Sequence, residues 1–255
     1  MGESTKPLAG RVAIVTGGGR DIGRAVAERL AKDGAQVAIN YFNSDSGAAS
    51  AVEKIEASGG RAFAMKGDMT SDTDVAALVD RTCETFGDKI HVAVHVTGGL
   101  LARKTIQEME IDHWNRVMDL NMTSYIRFIK EVLPKMSATG GSIVGIASQA
   151  GRDGGGAGAV AYASSKGAMM TATRGLAKEL GPGIRVNSVC PGMIDTDFHN
   201  TFTKSEVRSH VASITPLKRE GTSQDVGNLV AYLASDEAAF ITGANVDING
   251  GLLFS

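Results

Sequence analysis

One alternation runs from end to end of this chain and limits its folds more than any other feature. Short β-branched runs lie at Arg11–Thr16, Gln36–Tyr41, Arg61–Lys66, Ile90–Val96, Ser142–Ala147, Ile184–Val189 and Ala244–Ile248. Between them lie longer segments with helical periodicity, among them Ile22–Lys32, Asp74–Phe86, His113–Met136, Tyr162–Leu180 and Asp225–Ala234. Runs such as Val12-Ala13-Ile14-Val15 are apolar throughout, the pattern of a strand covered on both faces. Strand–helix alternation of this kind predicts a parallel sheet with right-handed crossovers. The expected fold class is α/β: one doubly wound domain over residues 1–255, a seven-stranded parallel sheet with helices on both faces, without linker or internal repeat.

Composition narrows the function. The chain has 255 residues, 32 of them glycine and only five proline, with a formal net charge of −2. Glycine is well above the usual share of about 7%, yet no Gly-X-Y period accompanies it, so glycines must sit at turns and close backbone approaches. The balanced charge gives no field for nucleic acid. Two distant cysteines, Cys83 and Cys190, make neither a disulfide framework nor a metal cluster, and no metal site is expected. No apolar run approaches the ~20 residues of a membrane span. The first ten residues lack the apolar stretch of a signal peptide, and Lys6 stands where a myristoylation signal needs Ser or Thr. A cytoplasmic protein with no membrane partner is expected.

In doubly wound sheets, ligands bind beyond the carboxyl ends of the strands, near the reversal of strand order. The loops of interest are Gly17–Asp21, Phe42–Ser46, Gly67–Thr70, Thr97–Leu101, Ser148–Gly158 and Cys190–Thr203. The first, Thr16-Gly17-Gly18-Gly19-Arg20-Asp21-Ile22-Gly23, runs straight into a helix. Its backbone N–H groups and the helix N-terminus suit a pyrophosphate, as in a Rossmann-type dinucleotide site. Asp21 stands where such loops usually carry glycine. A carboxylate about 5 Å from a phosphate charge costs about 3 kcal/mol at an effective dielectric near 20. Asp21 is therefore expected to turn away from the phosphates, to tolerate positive φ, to cap the helix, or to pair with Arg20 or Arg24. At the end of the second strand, Asn40 takes the place of the acidic residue that would bind a ribose hydroxyl. With Arg20, Tyr41, Asn43 and Ser44 nearby, this neutral end favours NADPH over NADH.

Tyr162-Ala163-Ser164-Ser165-Lys166 opens a helix and puts Tyr162 and Lys166 on one face. A reductase must protonate the carbonyl oxygen as hydride reaches the carbon. A phenol with a pKa of about 10 does this near neutral pH when a cation pulls that pKa down, and reaching about 7 takes about 4 kcal/mol. Ser148, at the end of a buried strand, is placed to hydrogen-bond the carbonyl.

These pieces resemble the short-chain dehydrogenase/reductase family along essentially the whole chain. The likeness rests on Thr16–Gly23, Asp68, Asn121, Ser148, Tyr162-x-x-x-Lys166, Arg185-Val186-Asn187, Pro191-Gly192 and the closing Thr242-Gly243, Asp247 and Gly250-Gly251. It implies a single Rossmann domain that reduces a ketone or aldehyde with NAD(P)H. Tyr162 is then the general acid, Lys166 its pKa-lowering partner and a nicotinamide-ribose ligand, Ser148 the carbonyl polariser, and Asn121 the holder of a relay water. The cofactor set implied is Gly17, Gly19, Arg20, Asp21, Ile22, Asn40, Tyr41, Asn43, Ser44, Asp68, Met69, Thr97, Gly98, Tyr162, Lys166, Pro191, Gly192, Ile194 and Thr196. Asp68 would meet the adenine edge, and the Pro191–Thr196 stretch would flank the nicotinamide.

Two departures stand out: Asp21, and His95-Val96-Thr97-Gly98 in place of the family's Asn-Asn-Ala-Gly. His95 is read as a packed residue. They motivate a reading of another class, a non-catalytic NADP-binding sensor. For the small-molecule carbonyl substrate, the pocket is expected from Ser148, Arg152, Gly154, Tyr162, Phe198 and Phe202, with a lid over residues 193–220. Basic residues there, namely Arg152, Lys204, Arg208, His210, Lys218 and Arg219, suit an anionic substrate. The glycine stretch before Tyr162, with Asp195-Thr196-x-Phe198-His199, also resembles reductases of keto-deoxy-uronates from alginate breakdown. Reduction of a 3-oxoacyl group on acyl carrier protein is the alternative. The family likeness further implies a homotetramer built on Asp112–Met136, Ala161–Leu180 and Leu252–Ser255.

Overall fold

The computed structural model describes residues 6–136 and 141–254, so residues 1–5 of the N-terminal reading and Ser255 of the interface reading lie outside the described residues. In chain order the elements are β1 (Val12–Thr16), α1 (Asp21–Lys32), β2 (Gln36–Tyr41), α2 (Asp45–Ala57), β3 (Arg61–Lys66), α3 (Asp72–Phe86) and β4 (Val92–His95). Then come α4 (Ile111–Met118), a π-helical turn (Asp119–Thr123), α5 (Ser124–Val132), β5 (Gly141–Ile146), α6 (Ala150–Asp153), α7 (Val160–Leu180) and β6 (Ile184–Pro191). The chain closes with α8 (Asp197–Phe202), α9 (Ser205–Ile214), α10 (Ser223–Ala234) and β7 (Asn245–Ile248).

The seven strands form one sheet in the order β3-β2-β1-β4-β5-β6-β7, and every pairing is parallel. The order reverses between β1 and β4, and this places the ligand crevice beyond Thr16 and His95. Side chains alternate across the sheet. Ala13, Val15, Val37, Ile39, Val94 and Val144 face α1 and α10, packing on Val26, Leu30, Val226 and Val230. Ile14, Ala38, Ala93, Ile143 and Val186 face the other way, onto Leu78, Val79, Tyr125, Phe128 and Met169. Full burial of such a side chain stabilises by roughly 1.5–3 kcal/mol, and burial on both faces explains the continuous apolar runs.

Two expectations need correction. The single helical segment His113–Met136 is broken at Asp119–Thr123. There the Asn121 side-chain amide donates to the Val117 carbonyl at 2.8 Å, as happens when a side chain enters a helical ladder. Residues 193–220 are not a long loop either. Val207, Val211 and Ile214 recur at helical spacing within α9, and α8 precedes it.

Candidate active site

The loop after β1 is tied down from two sides. Gly18 N donates to the Asn40 carbonyl at 2.7 Å, and Gly17 N to Asn40 Oδ1 at 3.2 Å. A Cβ on Gly23 would lie 2.1 Å from the Gly17 carbonyl oxygen, so only glycine lets α1 start this close to the loop. Arg20 occupies the N-cap position of α1 and no side chain caps the helix. The first-turn N–H groups are thus left for a ligand, the condition for phosphate binding at a helix start.

Asp21 has a φ of +47°. It opens α1 rather than capping it, which corrects the capping expectation. Its Oδ2 accepts from Asp197 N at 3.3 Å and lies 3.8 Å from Arg20, and Arg20 Nη1 reaches Asp197 Oδ2 at 3.0 Å. The pairing with Arg24 does not form, because Arg24 Nε bonds Glu28 at 2.7 Å. Burial and the neighbouring Asp197 charge push the Asp21 carboxyl above the ordinary carboxylate range. The residue that departs from the usual loop thus joins the cofactor loop to the start of α8.

Asn40 carries a second correction. It is 2% exposed, and its amide donates to the Gly67 carbonyl at 2.9 Å while its Oδ1 holds Gly17 N. It pins three loops together, which leaves Tyr41, Phe42, Asn43 and Ser44 as the rim at the end of β2. Asp68 Oδ1 accepts from Thr70 N and Thr70 Oγ1, both at 2.8 Å.

Tyr162 and Lys166 lie on the first turns of α7, facing the end of β5. Lys166 is 3% exposed; its Nζ donates to the Ile146 carbonyl at 2.7 Å and stands 5.7 Å from the Tyr162 ring centroid. Burial lowers the Lys166 pKa to about 8. Burial also pushes the Tyr162 phenol up, and the nearby Ser148 hydroxyl pulls it partway back. The sequence led us to expect a lowered phenol pKa. The raised value instead keeps the proton on Tyr162 at rest, the form a reductase needs in a general acid. Ser148 Oγ accepts from Ala150 N at 3.1 Å, which holds the hydroxyl in place.

Asn121 sits on the π-helical turn, fully buried. Its Oδ1 accepts from Gly99 N at 3.0 Å, and its Nδ2 donates to the carbonyls of Gly99 and Val117, both at 2.8 Å. A Cβ on Gly98 would lie 2.6 Å from Asn121 Oδ1 and 3.0 Å from Lys166 Nζ, so glycine lets the chain pass between them. The Asn121 side chain is thus bonded to backbone and lies outside the cavity wall. His95, fully buried, bonds Ser124 Oγ through Nε2 at 3.1 Å and packs on Tyr125 and Phe128. Burial and nearby Lys166 hold its pKa down at about 3, so it is a neutral packing residue as read from the sequence.

A cavity of about 1000 Å³ runs along these loop ends, and every residue expected to contact the cofactor lines it, together with Ser148, Phe198 and Phe202. Its size and its ends suit a dinucleotide. An uncapped helix start lies at one end, and at the other lies the Lys166 ammonium, with a single hydrogen bond to protein among the described residues. The lid contributes aromatic rings: Phe198 lies 5.6 Å from the Tyr162 ring and 5.2 Å from Phe202. His199 also lines the cavity, kept neutral by burial and nearby Arg208 with a pKa of about 4.

The structure takes Arg152 and Gly154 out of the expected pocket. Arg152 Nε bonds Asp247 at 2.7 Å and Nη2 bonds the Asn245 carbonyl at 2.6 Å, beside a separate 420 Å³ cavity with Arg174 and Phe254. Gly154, at φ +84°, ends α6, and Gly155 and Gly156 line the main cavity instead. Two of the lid cations are also taken by carboxylates. Arg208 pairs with Asp195 at 2.6 Å and Glu220 at 2.7 Å, and Arg219 with Asp225 at 2.7 Å. Sequence reading missed Arg103 and Gln149, both on the cavity wall. The loop after β4 was ended at Leu101, whereas α4 begins only at Ile111. Among the described residues no group of metal-ligating side chains forms and no helix is long and apolar enough to cross a membrane.

Comparison with known proteins agrees with this geometry. Residues 17–253 match the family model described as enoyl-(acyl carrier protein) reductase. The chain is 37% identical to the 3-oxoacyl-(acyl-carrier-protein) reductase of Pseudomonas aeruginosa, over 97% of this chain and 99% of that protein. It superposes on a short-chain dehydrogenase/reductase of Serratia marcescens with a TM-score of 0.89 and 34% identity, covering 96% of this chain and 99% of that one. A metagenomic blue fluorescent protein in complex with NADPH gives a TM-score of 0.90 and 34% identity, covering 97% and 100%. The chain therefore belongs to the short-chain dehydrogenase/reductase family, as an NAD(P)-dependent oxidoreductase.

Proposed function

We propose that this protein is an NADPH-dependent reductase of a ketone or aldehyde carbonyl. The observation that carries the reading is the convergence of Ser148, Tyr162 and Lys166 on one wall of the cavity, beside the Phe198 ring, with Lys166 buried 5.7 Å from the Tyr162 ring centroid. The cofactor, when bound, supplies hydride to the carbonyl carbon. Gly17, Gly19 and the start of α1 bind its phosphates; Asp68 and Met69 flank the adenine; Thr97, Gly98, Pro191, Gly192, Ile194 and Thr196 border the nicotinamide end. Ser148 donates to the carbonyl oxygen, Tyr162 Oη gives it the proton, and Phe198 and Phe202 exclude water. Lys166 stabilises the phenolate left behind and donates its remaining N–H groups to the nicotinamide ribose. Asn121 is a positioning residue that fixes Gly98–Gly99 and so the floor beneath Lys166.

Preference for NADPH follows from the rim: residues 40–44 carry no carboxylate, so nothing there repels a 2′-phosphate. Arg20 is the cation within reach, once released from Asp197. The substrate is either a small keto acid of the keto-deoxy-uronate kind or a 3-oxoacyl thioester on acyl carrier protein. Likeness to the Pseudomonas reductase supports the second. We further propose a homotetramer assembled on the faces named above, where Phe254 is 85% exposed in the single chain and Ile111, 74% exposed, immediately precedes the first of them.

The test is oxidation of NADPH and of NADH against keto-uronates, 3-oxoacyl thioesters, and simple ketones and sugars. Turnover by the wild type that Tyr162→Phe abolishes supports the enzyme. NADPH binding without turnover of any carbonyl supports the non-catalytic sensor. A higher kcat/KM with NADH refutes the cofactor preference.

A further inference from the structure

Arg103 lies on the cavity wall in the stretch between β4 and α4. Its Nε donates to the Phe202 carbonyl at 3.1 Å and its Nη1 to the Ala157 carbonyl at 2.9 Å. These two bonds aim the guanidinium between the lid and the glycine stretch before Tyr162. They leave Nη2 with no hydrogen bond to protein among the described residues, and no carboxylate within ion-pair distance.

Its neighbours in charge differ. Arg20 is offset by Asp197 and Asp21, Arg116 by Asp112, Arg208 by Asp195 and Glu220. Asp153, an acidic residue of the same wall, accepts from Gln149 Nε2 at 2.9 Å and Gly155 N at 2.8 Å. Phe198, Phe202 and neutral His199 make up the nearby lid wall. Among the arginines of this wall, Arg103 is thus the one without an anionic partner, held by neutral carbonyls beside an aromatic surface. An arginine fork fixed in this way suits an oxoanion by charge-assisted hydrogen bonds.

We propose that Arg103 recognises an anionic group, carboxylate or phosphate, on the part of the substrate away from its reacting carbonyl. This rests on the carbonyl-reductase reading and moves the anion site from Arg152 to Arg103. Carboxylate would come from a small keto acid, and phosphate from a pantetheine-bearing thioester.

The test measures binding rather than turnover, so that it stands apart from the activity assay. The full-length protein saturated with NADP⁺ is titrated with adipate, with dimethyl adipate and with phosphopantetheine, by ligand-observed NMR. Arg103→Met removes both the charge and the two carbonyl bonds; Arg103→Gln keeps a donor for a carbonyl without the charge. For adipate or phosphopantetheine, both variants are expected to weaken binding about tenfold, or about 1.4 kcal/mol. The acid-to-ester affinity ratio should collapse with adipate if the group read is a carboxylate. Loss confined to phosphopantetheine identifies phosphate. The proposal is overturned if acid and ester weaken together, if Arg103→Gln binds both anions like the wild type, or if the wild type binds neither anion. Failure of the carbonyl-reductase reading shows separately, as absence of NADPH oxidation with any carbonyl compound.

Discussion

Replacing Asp21 with glycine restores the usual loop and asks which way the carboxylate faces. If it faced the pyrophosphate at about 5 Å, its removal would relieve about 3 kcal/mol at an effective dielectric near 20, tightening NADPH more than a hundredfold. The structure argues otherwise, since Asp21 Oδ2 is engaged by Asp197 N and Arg20 on the lid side. The terms that change are then small. Relief of a left-handed backbone at a non-glycine residue gains about 1 kcal/mol, and the flexibility of glycine in the unfolded chain takes back 0.5–1 of it, in rough terms. The partly exposed bond from Asp197 N contributes near the bottom of the range of about 0.5–1.5 kcal/mol. Asp21→Gly should therefore leave stability within about 1 kcal/mol, a melting shift of roughly 2–4 °C for a chain of this size. NADPH Kd should tighten by less than tenfold. Titration of NADPH fluorescence on binding measures this, and tightening well beyond tenfold would refute the assigned orientation.

The pH dependence of that variant has a definite sign. The Asp21 carboxyl is raised by burial and by Asp197, so the folded chain holds that proton more tightly than the unfolded chain. Its stabilising contribution is present below the ordinary carboxylate pKa and is lost as pH rises through the folded value. Relative to wild type, Asp21→Gly should look better at neutral pH than near pH ~4. Melting curves at both values check it, and the reverse order contradicts the shift.

Three further outcomes follow from the site. Tyr162→Phe should lower kcat by about 10²–10⁴, the usual worth of a general acid, while NADPH Kd stays within about threefold; comparable losses in both would make Tyr162 a binding residue instead. Reduction should hold steady at neutral pH and fall as pH climbs through about 8, where Lys166 loses its charge. A profile that still rises at pH ~9 would contradict this role for Lys166. Because burial depresses that lysine, its charged form costs stability at neutral pH, and the cost is relieved as pH rises from about 8 toward 10.5. Lys166→Met should accordingly lose activity without a lower melting temperature at neutral pH. Asn40→Asp removes the amide donor to the Gly67 carbonyl and puts a carboxylate in its place. An unsatisfied buried group costs about 1–3 kcal/mol, so this variant should melt several degrees lower and bind NADPH less tightly. A gain in NADH-dependent kcat/KM without loss of stability would mean that Asn40 does face the ribose.

What could be read from the sequence follows a physical division. The sheet was legible because strands buried on both faces must be apolar throughout, and the bounds of β2 and β3 came out as expected. The clustering of Ser148, Tyr162 and Lys166, proposed as the catalytic trio, was legible because it depends on local spacing: one helical turn between Tyr162 and Lys166, and a strand end for Ser148. Roles that depend on what a side chain meets across the fold were not. Asn40 has the position of a ribose ligand, yet its amide is used up between Gly17 and Gly67, two loops it meets only in the folded chain. Arg152 stands in the right stretch of sequence, but Asp247, 95 residues away, claims it. Arg103 lies outside every motif, and its two carbonyl partners are 54 and 99 residues distant. A cation's partner is set by the fold, while its position in a motif is set by the chain. For this cavity, an arginine's worth as a ligand is therefore decided by whether a carboxylate has already taken it, and this selects Arg103 over Arg152.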